Sequence, residues 1–358
     1  MVAPTTDEIS QDTVVPSERK AIISNAHALS DVDYSDEDAP AVEQIAADED
    51  LLDDYDYDAE DINLIHRRIS SIPALRLERF TNVEKLCLRQ NQISQIEIPV
   101  ALGPKLQDLD LYDNLISHVK GLEHFTGLTS LDLSFNKIKH IKNLNHLKAL
   151  TDLYFVQNKI QKIEGLEGLS NIRNLELAAN RIRDVENLDT LIGLEELWLG
   201  KNKITELTNL SFLAHLKILS LPSNRLTQIS GLSSLVTLEE LYVSHNLITS
   251  ISGLESNISL HVLDISNNQI SRLEGLSHLI DIEEVWASSN LFSSFEELEK
   301  ELGDKKSLDT VYLEGNPLQK KNAVMYRQKV RLALPQIRQI DASRLFFTGI
   351  ANYHQALL

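Results

Sequence analysis

A single cysteine, Cys87, stands in 358 residues, which excludes an internal disulfide framework. No run of about 18 apolar residues occurs, so no membrane-spanning helix is expected. The opening stretch MVAPTTDEISQD has neither a basic segment nor an apolar one after it, so no secretory signal is expected either. These absences point to nucleus and cytoplasm. The eleven histidines are scattered and form no metal-ligand or nucleophile pattern with acids or Cys87. No glycine-rich phosphate loop or dinucleotide fingerprint is present. Asp54, Asp56 and Asp58 alternate like the start of a calcium loop, but the glycine and distal glutamate such a loop needs are missing. The expectation is a chain that is no enzyme and binds no metal or cofactor.

Positive charge is also scarce in one place. Residues 31–61 hold fifteen acids and no lysine or arginine, and residues 1–30 add a net −2. Subtracting both from the chain's −19 leaves −2 on residues 62–358. The acidity is that of a tail too charged and too poor in apolar side chains to bury a core, so residues 1–60 are expected to be disordered. Within it, Ser35 is followed by Asp36-Glu37-Asp38, a setting that acid-directed kinases favour, and is a candidate phosphorylation site.

What the chain does have is a ruler. Asn91, Asn114, Asn136, Asn158, Asn180, Asn202, Asn224, Asn246, Asn268, Asn290 and Asn316 follow one another at intervals of 23, then 22 eight times, then 26. Each closes a segment of the form L-x-x-L-x-L-x-x-N-x-I, as in residues 128–138. This is the pattern of a leucine-rich-repeat solenoid, an α/β fold in which each coil packs only on its neighbours. Apolar residues five and three positions before each asparagine predict a short strand, and stacked strands a parallel concave sheet. Apolar residues at intervals of three after it predict a turn or 3₁₀ segment on the convex side. The solenoid is expected over residues 61–316, about 12 repeats. The first is degenerate, with Ile62, Leu64, Ile69 and Ile72 as its apolar set and Arg67 in the asparagine slot. Residues 317–358 are expected to form a C-terminal cap, with a helix over 322–334 that buries Tyr326, Val330 and Leu334. The asparagine amide, with two donors and an acceptor, suits backbone groups left unpaired inside a turning coil. Seven positions after each asparagine stands Gly or Asn in eight coils, from Gly121 to Gly275, which predicts a recurring turn with positive φ.

Phase then assigns the concave face. Side chains four positions before the asparagines are Cys87, Asp110, Asp132, Tyr154, Glu176, Trp198, Ser220, Tyr242, Asp264, Trp286 and Tyr312. Those six before are Lys85, Asp108, Ser130, Asp152, Asn174, Glu196, Ile218, Glu240, Val262, Glu284 and Thr310. These twenty-two positions hold nine acids and one base, together with both tryptophans of the chain. Aromatic anchors ringed by charge have the composition of a protein-binding hot spot. Strand propensity and packing between neighbours would place aromatics there too. At about 4.8 Å per strand, Asp132 to Tyr312 spans roughly 40 Å, the scale of a globular partner rather than a metabolite. An acidic face repels phosphates, so nucleic acid is not the expected partner.

Particular stretches add a resemblance. LYDN (111–114), LGKNKIT (199–205), SNRLT (223–227), YLEGNPLQK (312–320) and LALPQIRQIDA (332–342) resemble the leucine-rich-repeat regulatory subunits of protein phosphatase 1, of the regulatory subunit 7 type. The resemblance implies a non-catalytic subunit that binds the phosphatase catalytic subunit through its concave face. It implies Asp132, Tyr154, Glu176, Trp198, Glu284, Trp286 and Tyr312 as contact positions; Tyr242 and Asp264 join them from the column. It also implies roles in activity, maturation or nuclear targeting of the phosphatase during mitosis and chromosome segregation, and a second inhibitor protein in a ternary complex. The alternative is a general assembly scaffold, for example in a nuclear ribonucleoprotein particle.

Overall fold

The computed structural model describes residues 49–344. Ser35 and the rest of residues 1–48 lie outside the described residues, as do residues 345–358 of the cap.

The described residues form one 14-stranded sheet whose strands follow chain order from end to end. Twelve three-residue strands come first: β1 (Asp61–Asn63), β2 (Lys85–Cys87), β3 (Asp108–Asp110), β4 (Ser130–Asp132), β5 (Asp152–Tyr154), β6 (Asn174–Glu176), β7 (Glu196–Trp198), β8 (Ile218–Ser220), β9 (Glu240–Tyr242), β10 (Val262–Asp264), β11 (Glu284–Trp286) and β12 (Thr310–Tyr312). All pair in parallel and without slippage, so Asp132 faces Tyr154, Tyr154 faces Glu176 and Glu176 faces Trp198. The middle residue of each strand points inward and is buried, joining one continuous apolar core. The two outer residues point away from it, which confirms the phase read from the asparagines.

Each ladder asparagine ties two coils together. Asn136 donates from Nδ2 to the Leu111 carbonyl of the preceding coil at 3.0 Å and to Leu133 and Ser134 of its own at 3.1 Å. Its Oδ1 accepts the Ile116 N–H at 2.9 Å. The degenerate first coil has Arg67 in the ladder slot, and the Arg67 N–H donates to Asn91 Oδ1 of the next coil at 3.0 Å.

The turn seven positions after the asparagine has the expected left-handed backbone, with φ from 58° at Asn187 to 84° at Gly121. Gly and Asn meet the preceding coil differently at this turn. A Cβ at Gly121 would collide with the Ile96 carbonyl of the preceding coil, and Gly165 meets Ile141 in the same way. Asparagine at this position donates to the equivalent carbonyl: Asn143 Nδ2 to Val119 at 2.8 Å, Asn209 Nδ2 to Val185 at 2.9 Å. On the convex side the chain runs through turns, with 3₁₀ segments at Pro73–Leu75, Leu77–Arg79 and Val100–Leu102.

Both ends of the sheet are covered, in ways the sequence reading missed in part. Residues 49–60, assigned above to the disordered tail, belong to the folded unit. A 3₁₀ turn at Glu49–Leu52 puts Leu52 in the core. The Tyr55 hydroxyl donates to the Asn63 carbonyl at 2.8 Å and accepts its N–H at 3.0 Å, satisfying backbone groups at the edge of the sheet. The acids around Leu52 and Tyr55 mask these anchors in any average over composition.

At the other end, the long interval before Asn316 accommodates helix α1 (Phe295–Leu302), which the sequence reading did not anticipate. Ser294 caps it by accepting the Glu297 N–H at 3.1 Å. The predicted helix over 322–334 is shorter: α2 (Pro317–Lys320) and a turn precede α3 (Tyr326–Ala333). Tyr326, Val330 and Leu334 are buried as expected. Strand β13 (Gln339–Ile340) then adds in parallel to β12, and β14 (Ser343–Arg344) folds back antiparallel.

Candidate functional site

The in-register sheet brings the candidate side chains into two groups. In the C-terminal half Trp198, Tyr242, Trp286 and Tyr312 form a continuous aromatic row. Trp198 stacks on Tyr242 with centroids 6.4 Å apart; Tyr242 meets Trp286 edge-on at 5.9 Å, and Trp286 meets Tyr312 at 5.8 Å. The first two contacts skip a strand. Ser220 lies between Trp198 and Tyr242 in the register, and Asp264 between Tyr242 and Trp286. Both are short and buried, which lets the rings close over them. The tryptophans are consequently half-buried by their own neighbours rather than freely exposed.

The position six before the asparagine orients this row. Trp286 Nε1 donates to Glu284 at 2.8 Å, Trp198 Nε1 to Glu196 at 3.2 Å, and the Tyr242 hydroxyl to Glu240 at 2.6 Å. Glu196 and Glu240 were not singled out from the sequence. The signal was present in the pairing of an acid with a ring two residues on. Gln339 of β13 donates to the Tyr312 hydroxyl at 2.8 Å, so the cap completes the row.

The N-terminal half is acidic. Asp132 accepts the Ser134 N–H at 2.8 Å, as Asp264 accepts that of Ser266 at 3.0 Å; both aspartates therefore also brace their own turns. Burial raises the Glu176 carboxyl above the usual range, and the charges of Asp132 and Glu196 add to it. Asp108 and Asp110 are raised too, again chiefly by burial. Burial, then Asp152 and Glu176, pushes the Tyr154 hydroxyl up to about 12. Tyr154 belongs to this acidic group: Glu176 separates it from Trp198 in the register, and its hydroxyl accepts from Asn174 Nδ2 at 3.4 Å. Arg89 neutralises part of the far end, 3.2 Å from Asp110 and stacked on Tyr112. Among the described residues no group of acids, histidines and cysteine is arranged to hold a metal ion.

Fold and repeat pattern together define a leucine-rich-repeat protein. Family models described as leucine-rich repeats match residues 81–138 and 126–182, 214–256 and 259–279. An internalin from Listeria monocytogenes superposes with a TM-score of 0.63 over 83% of this chain and 89% of its own, at 22% identity. A leucine-rich-repeat protein of Leptospira interrogans gives 0.58 at 25% identity, covering 74% of this chain and 73% of its own. More particular is the sequence similarity to protein phosphatase 1 regulatory subunits. The chain is 56% identical over 91 residues to the Schizosaccharomyces pombe subunit SDS22, covering 25% of this chain and 26% of that protein. It is 48% identical over 88 residues to the Saccharomyces cerevisiae subunit of that name, covering 24% and 26%. It is 60% identical over 47 residues to human regulatory subunit 7, covering 13% and 12%. The matched stretch thus spans about a quarter of each yeast relative.

Proposed function

We propose that this chain is a non-catalytic regulatory subunit that binds the catalytic subunit of protein phosphatase 1 through its concave sheet face. The observation that carries the reading is the aromatic row Trp198–Tyr242–Trp286–Tyr312, held by glutamates and continued by the acidic column at Asp132, Tyr154 and Glu176. Rings already fixed by hydrogen bonds lose little side-chain entropy on docking. Carboxylates beside them suit a partner surface that is basic and partly apolar. The similarity to named regulatory subunits supports the phosphatase catalytic subunit as that partner.

On this reading the chain controls the activity, maturation or nuclear targeting of the phosphatase in mitosis, works in nucleus and cytoplasm, and leaves room for a second inhibitor protein. Phosphorylation of Ser35 would modulate it. The test is capture of purified catalytic subunit by wild-type chain and by Trp198→Ala/Trp286→Ala. The double variant should lose several kcal/mol of binding with an unchanged far-ultraviolet circular dichroism spectrum. Wild-type capture by a correctly folded double variant would sink the proposal.

A further inference from the structure

A second surface lies outside the aromatic row. The residue directly after the ladder asparagine is basic in five consecutive coils: Lys137, Lys159, Arg181, Lys203 and Arg225. The backbone stacks them in register, because each N–H donates to a carbonyl of the preceding coil at 2.8–2.9 Å. They follow the C-terminal ends of β4 to β8 along one rim of the solenoid. At about 4.8 Å per coil the file runs for roughly 19 Å. Lys139, Arg183 and Lys201 widen it. From one residue before to three residues after the asparagine, these coils hold eight bases and no acid. Asp184 and Glu206 come one position later. Lys137, Lys159, Arg181 and Arg225 make no ion pair among the described residues. Folding alone leaves this concentration of charge unexplained, since like charges stacked at strand spacing repel.

We propose that this basic rim is a docking surface for an extended acidic polypeptide segment of a partner protein. Its length matches about six residues of extended chain, and its single file suits one strand of carboxylates. Nucleic acid fits less well. Phe135 is the sole aromatic of the strip, at its first coil, so bases would find no stacking platform along the rest. The surface is distinct from the aromatic row and does not depend on the identity of the protein bound there.

The test is fluorescence anisotropy of a short labelled polyglutamate peptide titrated with the full chain, beside a single-stranded oligonucleotide of equal charge. Lys159→Glu/Arg181→Glu/Arg225→Glu should weaken peptide binding by at least about tenfold. Added salt should weaken the wild type steeply. Trp198→Ala/Trp286→Ala should bind the peptide like wild type, and the rim variant should still capture the phosphatase, so the two readings fail separately. Three results would overturn the proposal: no peptide binding by wild type at physiological salt, equal binding by the rim variant, or tighter binding of the oligonucleotide. Should the charge reversals impair folding, Lys159→Gln/Arg181→Gln gives the same comparison.

Discussion

Trp198 and Tyr242 sit two strands apart and yet stack, their planes 20° from parallel, because Ser220 between them is too small to keep the rings apart. The aromatic row is therefore a property of its gaps as much as of its rings. Ser220→Leu should prise the pair open. An added branched side chain at a buried site costs about 1–3 kcal/mol through overpacking. The tryptophan signal in near-ultraviolet circular dichroism should change while the far-ultraviolet spectrum stays the same. On the proposed function, phosphatase capture should weaken too, in the direction expected for Trp198→Ala/Trp286→Ala. An unaltered near-ultraviolet spectrum would show that the stack does not rest on Ser220.

The acidic half makes a prediction with a definite sign. The Glu176 carboxyl is raised above its ordinary 4.5 by burial and by Asp132 and Glu196. The folded state thus holds its proton at pH values where the unfolded chain has released it. Stability from this group falls as pH rises through that window, and the full penalty is present above it. Glu176→Gln should raise the urea midpoint at pH 7. The advantage should vanish below the window, where the wild-type carboxyl is protonated in both states. Urea titrations at several pH values decide it, and an advantage that persists in acid would assign the effect to packing instead.

The periodic part of this structure was readable because one physical constraint repeats. Every coil must close against the next, so the same asparagine, the same inward leucines and the same left-handed turn recur at the same phase. The turn at Gly121 and Asn143 was legible since few residue types accept it. A second left-handed position, directly before each asparagine, was not. Gln90, Asp113, Phe135, Lys201 and His245 all adopt it, with φ of 53–55°. The asparagine bonds hold the backbone there whatever the side chain, so composition carries no trace. Ring contacts that skip a strand were also hidden, since a column of residue names does not show how far a tryptophan reaches over a serine. The ends were hardest: Leu52, Tyr55 and α1 are each used once, and periodicity is silent about them.

The ladder itself can be tested at Asn180. Its Nδ2 donates to the Phe155 carbonyl at 2.8 Å and to Leu177 at 3.1 Å, and its Oδ1 accepts the Ile160 N–H at 3.0 Å. Asn180→Ala leaves the buried Ile160 N–H unpaired, at about 1–3 kcal/mol, while the Phe155 and Leu177 carbonyls keep bonds from Asn158 and Asn202 respectively. Asn180→Asp keeps the acceptor, loses the donors and buries a charge, so it should be at least as harmful. Urea unfolding measures both. Equal stability of Asn180→Ala and wild type would mean that the ladder is not a stabilising device.

At the C-terminal end the ladder passes to a different chemistry. Asp341 Oδ1 accepts the Leu313 N–H at 2.8 Å and the Glu314 N–H at 3.0 Å, while its Oδ2 accepts from the Tyr326 hydroxyl at 3.0 Å. Burial, and then the adjacent carboxylate, holds the Tyr326 hydroxyl protonated well above its ordinary range, so it stays a donor. One carboxylate therefore closes the last long strand and pins α3 over it. Tyr326→Phe removes a single donor and should cost about 0.5–1.5 kcal/mol. Asp341→Ala also strands two backbone donors and should cost clearly more. Hydrogen exchange locates the loss: in Asp341→Ala the β12 amides should exchange faster while those of β4 to β8 keep their protection, because each coil leans only on its neighbours. Uniform acceleration along the sheet would show instead that the cap governs the stability of the whole solenoid.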